Sequence, residues 1–299
     1  MRSKPLRARI LTPHKRQFVN LSRLAQRMRS MPLSARLSPN NKSPLYIQKK
    51  SSKMLWLSLY AGKGAFMKYI LSLTALPPLF LLWYVYHIDK IEHEPAKLIF
   101  KLFIFGVLSC IPAGQLETSA GAFLPYFFED TMSFSSLFVE YFFIVALAEE
   151  GLKYLFMYQL TWRDKEFNYR FDGIVYAVAV SVGFAFFENF LYVFSDIDFA
   201  MSIAVQRALT AIPLHTICAI FMGHFYGEAR YAYSRYRNRD CIVKLILALV
   251  VPLLIHGFYD FCLSTENAVM IIIYFIYVII IDVLAFIKVR RYAKEDVAV

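Results

Sequence analysis

The 299-residue chain is 58% hydrophobic and 17% aromatic, with a mean hydropathy of +0.47, which excludes an ordinary soluble domain, where roughly half the residues are apolar. Its net charge of +11 is uneven: 15 of the 33 Lys/Arg and none of the 22 Asp/Glu lie in residues 1–66, so residues 67–299 carry a net of −4. The basic pI of 9.4 therefore describes an appendage, and nucleic-acid binding by the body is disfavoured.

Taken in chain order, residues 1–66 are rich in Arg, Ser, Pro and Lys, the composition of a disordered basic tail or of a targeting presequence. Met67 stands directly before Lys68 and the first apolar run, so a start at Met67, with 1–66 as an upstream extension and 67–299 as the domain, is the expectation. A membrane-crossing helix needs about 20 mainly apolar residues. Seven stretches meet this, near 68–87, 97–115, 134–161, 172–195, 202–229, 244–263 and 268–288. No set of alternating ten-residue strands suggests a barrel. The expected fold class is all-α, a polytopic transmembrane bundle of about seven helices in the lipid bilayer. The four cysteines, Cys110, Cys218, Cys241 and Cys262, show no CxxC spacing and read as core residues, not a disulfide framework or a zinc knuckle.

Basic residues set the orientation. Lys90, Lys97 and Lys101 follow the first stretch, Arg163, Lys165 and Arg170 the third, Arg235, Arg237 and Arg239 the fifth, and Lys288, Arg290 and Arg291 the seventh. Those ends are assigned to the cytoplasm. The 116–133, 196–200 and 264–267 segments carry mainly acids, with Arg207 the only basic residue nearby, and are assigned outside. The 116–133 segment reads as a passive loop or as a gate.

Ionisable side chains at mid-bilayer cost about 2.5–3.5 kcal/mol each on insertion scales and mark function. The third stretch holds Glu149, Glu150 and Lys153. Glu149 and Lys153 are four apart and share a helix face, whereas Glu150 is turned about 100° away, so one carboxylate is expected to pair with the lysine. The fourth holds Glu188 and Asn189, with no basic residue since Asp172 and nothing local to neutralise the acid. The fifth holds His215 two residues after Pro213, and the sixth His256 and Asp260 on one face, where the carboxylate can set the imidazole tautomer. Counted from the outer ends, Glu188 lies about 12 Å deep, His215 and Glu150 about 20 Å, and His256 about 10 Å. Four helices thus bring acids and imidazoles to overlapping depths. Each group alone also reads as packing or a buried ion pair, and His224 with Glu228 reads as an interfacial pair outside the site.

These residues resemble the PrsW family of intramembrane proteases, relatives of the type II CAAX prenyl endopeptidases in the CPBP group. The matching motifs are EExxK at Glu149–Lys153, FxxxE at Phe184–Glu188 extended by Asn189, the His215 segment ending in Gly223 and Gly227, and HxxxD at His256–Asp260. The likeness covers about 67–290, and Glu188 in place of a histidine argues against prenyl-protein processing. The resemblance implies peptide-bond hydrolysis in a bacterial inner (plasma) membrane on a single-pass membrane protein, with anti-sigma factors as the substrate class of similar proteins.

No Ser-His-Asp order, HExxH or Cys–His pair is evident, so water is the expected nucleophile. The expected catalytic residues are Glu149, Glu150, Glu188, His215 and His256, supported by Lys153, Asn189 and Asp260. One of Glu149 and Glu150 would be the general base, the histidines would stabilise the oxyanion, and no cofactor would be needed. The alternative is zinc held by Glu188, His215 and His256. Two further readings stay open: an ion-coupled transporter, and a scaffold binding other membrane helices through Gly223-x-x-x-Gly227.

Overall fold

A computed structural model describes the backbone of residues 45–299 and the side chains of residues 66–299. The expectations for residues 1–44 lie outside the described residues. The fold is all-α, and its helices follow the apolar stretches closely. They are α1 (Leu45–Ile88), α2 (Ala96–Gly121), α3 (Leu124–Phe127), α4 (Phe134–Phe138), a π-helical segment π1 (Val139–Ala146), α5 (Leu147–Thr161), α6 (Asp172–Ser195), α7 (Ala200–Leu209), α8 (Ala211–Ser234), α9 (Asn238–Ser264) and α10 (Ala268–Lys294). Six segments among the described residues are long and apolar enough to cross a membrane: 66–88, 96–127, 172–195, 200–234, 238–264 and 268–294. The remaining expected stretch, the third at 134–161, is helical throughout but passes from α4 through π1 into α5, and it buries Glu140, Glu149, Glu150 and Lys153.

Helix α6 is the axis of the bundle. Its membrane window is 78% buried, against 22% for α10, because α1, α2, α5, α7 and α8 all pack against it. Its neighbours come close where side chains are absent. A Cβ on Gly223 or Gly227 of α8 would strike the carbonyl oxygens of Gly173 and Arg170 at the start of α6, and one on Gly183 would strike Phe103 of α2. The glycine pair read as a scaffold motif is therefore spent inside the molecule.

The fifth stretch differs from the single helix expected. It breaks at Thr210, whose φ of −128° and ψ of −62° separate α7 from α8. Pro213 explains the break, since it lacks the N–H that would bond Leu209 and its ring crowds that carbonyl. His215 consequently lies only five residues past the break, about 7.5 Å along the axis, nearer the α7 end than an unbroken helix puts it.

The segments assigned to the cytoplasm by charge meet at one end. Asn168 donates to Glu92 at 3.0 Å, and Arg170 pairs with Glu228 at 2.7 Å and donates to the Glu295 carbonyl. The C-terminal residues lie along the 168–171 segment through Arg170–Val297 and Val299–Asn168 backbone bonds. Glu228 takes Arg170 as its partner, and His224 instead stacks on Tyr292 with ring centroids 3.8 Å apart. At the opposite end, the 116–133 segment is partly helical and exposes Phe123, Tyr126 and Phe127, aromatic groups suited to a membrane–water interface.

Candidate active site

Lys153 organises the buried centre. Its Nζ lies 2.8 Å from Glu150 Oε1, 3.2 Å from Glu149 Oε2 and 3.0 Å from His215 Nδ1. Three acceptors use all three ammonium protons, and the side chain is 1% exposed. Both glutamates therefore share the lysine, in place of the single pairing expected, because a four-carbon stem reaches acceptors at both the i−3 and i−4 positions. The ammonium also sits 4.1 Å from the centre of the Phe184 ring.

His256 on α9 closes the other side. Its Nδ1 is 2.8 Å from Glu150 Oε1, and its Nε2 is 3.2 Å from Asp260 Oδ2 and 3.9 Å from Glu149 Oε2. Both nitrogens face carboxylates, an arrangement satisfied by the doubly protonated ring. His215 and His256 meet edge to face at 5.3 Å. Glu150 is fully buried, and its second oxygen, Oε2, has no hydrogen-bond partner among the described residues.

Glu188 has a local counter-ion after all. Arg207, on α7, donates from Nη2 to Glu188 Oε2 at 2.6 Å and from Nε to Asn189 Oδ1 at 3.0 Å. The same Glu188 oxygen is 2.9 Å from His215 Nε2. The break at Thr210 lets α7 fold back toward α6 and bring Arg207 in. Sequence reasoning notes Arg207 only as the basic residue near the outer segments and gives it no role; the available signal is a cation eight residues before His215, at a depth close to an unneutralised acid on the preceding helix. All the expected site residues, Glu149, Glu150, Lys153, Glu188, Asn189, His215, His256 and Asp260, belong to this one hydrogen-bonded and ion-paired assembly.

A family model described as PrsW family intramembrane metalloprotease matches residues 94–286, from just before α2 into α10. This chain belongs to the PrsW family. It is 35% identical over 195 residues to Protease PrsW of Oceanobacillus iheyensis, covering 65% of this chain and 83% of that protein. Against Protease PrsW of Clostridioides difficile the identity is 31% over 232 residues, covering 77% and 94%, and against that of Bacillus subtilis 33% over 196, covering 65% and 83%. No solved structure matches the chain. As a PrsW protein it is a multi-pass, membrane-embedded peptidase that acts on a membrane protein in the bilayer.

The PrsW description names a metal, and the donor set here suits one: Glu149, Glu150, His215 and His256 each offer an atom, all within 4.8 Å of one another. Two imidazoles and two carboxylates are ligands for a zinc-like ion. This set has both α5 glutamates where the sequence alternative had Glu188, whose Oε2 is engaged by Arg207 and His215. Lys153 Nζ already bonds three of the four donors, so a metal could enter only as the ammonium withdraws. A bound ion would supply Lewis-acid polarisation of a carbonyl or of water.

Proposed function

We propose that the chain cuts single-pass membrane proteins near the extracytoplasmic face, using water activated by Glu150, with Lys153 as the fixed cation of the site. The observation that carries this reading is Glu150 itself. One oxygen is pinned by Lys153 and His256, and the other is buried with no hydrogen-bond partner among the described residues, which leaves it to take a water proton. Glu150 takes a proton from water as the water oxygen bonds to the scissile carbonyl carbon. The carbonyl electron pair moves onto oxygen, where His256 and Lys153 oppose the developing charge. The proton on Glu150 passes to the leaving nitrogen, the C–N bond breaks, and the second water proton moves from the new carboxylic acid to the amine, leaving a carboxylate and an ammonium. Asp260 and Glu149 orient His256.

The depth of the site supports an outer cut. Glu188 lies seven residues before the end of α6 and His256 eight before the end of α9, about 10–12 Å, at the end opposite the basic loops. Anti-sigma factors, the class that similar proteins process, are the substrate class favoured by the resemblance. The test is co-expression with tagged single-pass membrane proteins, followed by mass spectrometry of new termini. Cleavage lost in Glu150→Gln, with the variant still inserted, supports the reading; cleavage retained in that variant removes Glu150 as base.

A further inference from the structure

We infer that Arg207 is a positioning residue for this site: through Glu188 it fixes which nitrogen of His215 faces the glutamates and Lys153. A carboxylate offers only acceptors, so at 2.9 Å His215 must donate from Nε2 to Glu188. An ammonium offers only donors, so at 3.0 Å His215 Nδ1 must present its lone pair to Lys153. The two contacts demand the same Nε2–H tautomer. That agreement depends on where Glu188 Oε2 is held, and Arg207 holds it.

Arg207 is anchored on three sides. Nη2 bonds Glu188, Nε bonds Asn189, and the guanidinium lies 4.1 Å from the Tyr192 ring centre. Asn189 is itself tied by Nδ2 to the carbonyl of Thr74 on α1, at 2.9 Å. A planar fork reaches the carboxylate and the amide together, which a lysine ammonium does not reproduce. If a metal displaces the Lys153 ammonium, the same relay serves it, since a ligating imidazole is oriented by a carboxylate on its other nitrogen.

The cleavage part of the test rests on the protease reading, and the spectroscopic part does not. Full-length protein with 15N-labelled histidine rings in nanodiscs, with His215 assigned by a His215→Asn variant, should show one His215 tautomer protonated at Nε2. Arg207→Met alone leaves Glu188 buried without its cation and puts insertion at risk, so the deciding variant is the double Arg207→Met/Glu188→Met, which removes both charges. That protein should fold, keep the Nε2–H tautomer that Lys153 still demands but lose the downfield Nε2–H shift of a carboxylate-bound imidazole, and cut the reporter that the wild type cuts about 10- to 100-fold more slowly in kcat with little change in KM. Arg207→Lys should recover little. A wild-type His215 that is protonated at Nδ1 or mixed, or a double variant with the wild-type Nε2–H shift or wild-type cleavage, overturns the inference. A wild type that cuts no reporter counts against the protease reading and leaves the His215 Nε2–H signal to decide Arg207.

Discussion

Asn189 donates from Nδ2 to the carbonyl oxygen of Thr74 across 2.9 Å, and that carbonyl is free because Pro78, four residues on in α1, has no N–H to offer it. A helix defect on α1 thus becomes the last link of a chain that runs through Asn189, Arg207, Glu188, His215, Lys153 and Glu150 to His256. The link predicts a coupling. Asn189→Leu should destabilise the protein by about 1–3 kcal/mol, the cost of leaving buried polar groups unpaired. In a Pro78→Ala background, the backbone N–H restored by the alanine can bond the Thr74 carbonyl, and the Asn189→Leu penalty should shrink. Denaturation of the four proteins in detergent gives the double-mutant cycle; equal penalties in both backgrounds would show that the two residues do not share this carbonyl.

Lys153→Ala should cost about 3–5 kcal/mol, because it leaves two buried carboxylates without their shared cation. Adding Glu149→Gln removes one of those charges and should restore part of the loss. A Lys153→Ala protein as stable as the wild type would mean that the glutamates find other compensation.

The same geometry sets the metal prediction. With Lys153 in place, purified protein should hold well under one zinc per chain, and cleavage should survive chelation. Lys153→Met opens the position among Glu149, Glu150, His215 and His256 and should raise zinc content toward one per chain, read by elemental analysis without any activity assay. Stoichiometric zinc in the wild type, lost together with cleavage on chelation, would reassign the site to metal catalysis.

The loop between α1 and α2 predicts a pH dependence of stability. Burial pushes Glu94 up to about 7, with Asp89 and Glu166 adding repulsion, and burial likewise raises Asp89 to about 6. Both folded-state values lie above the unfolded carboxylate range near 4. The folded protein therefore binds protons more tightly, and the stabilisation, complete below about pH 4, is lost as pH rises through 6 to 7. The thermal midpoint should fall across that window, and Glu94→Gln should flatten much of the fall. An unchanged slope in Glu94→Gln would place the titrating groups elsewhere.

The helices were legible because a bilayer demands long apolar runs, and α6 was bounded at 172–195 from composition alone. The site was legible residue by residue, since a charge in such a run has few explanations. What stayed hidden depends on contacts between elements. Arg207 lies 19 residues from Glu188 and reads only as a cation near the outer segments until the break at Thr210 folds α7 back. Likewise, helix geometry places Glu150 on another face from Glu149, but the reach of a lysine side chain, not the backbone angle, decides that both share Lys153. The π1 segment ahead of Glu149 has no sequence signature comparable to a proline or a charge.

Which face of the membrane meets the substrate follows from two separate observations. The 88–96 and 162–171 segments and the end of α8 meet the C-terminal residues at one end of the bundle, the end that carries Arg163, Lys165, Arg170, Arg235, Arg237 and Arg239, and Lys/Arg-bearing loops stay in the cytoplasm. The helix ends nearest Glu188, His215 and His256 lie at the other end. Single cysteines test this directly, against a background of four native cysteines that are all buried. Ser119 and Ser234 are exposed and Thr265 is half-buried. Ser119→Cys and Thr265→Cys should react with a membrane-impermeant thiol reagent in intact cells, while Ser234→Cys should react only after lysis. The reverse pattern would invert the topology, place the opening of the site on the cytoplasmic side, and move the expected cut from the extracytoplasmic part of the substrate to its cytoplasmic part.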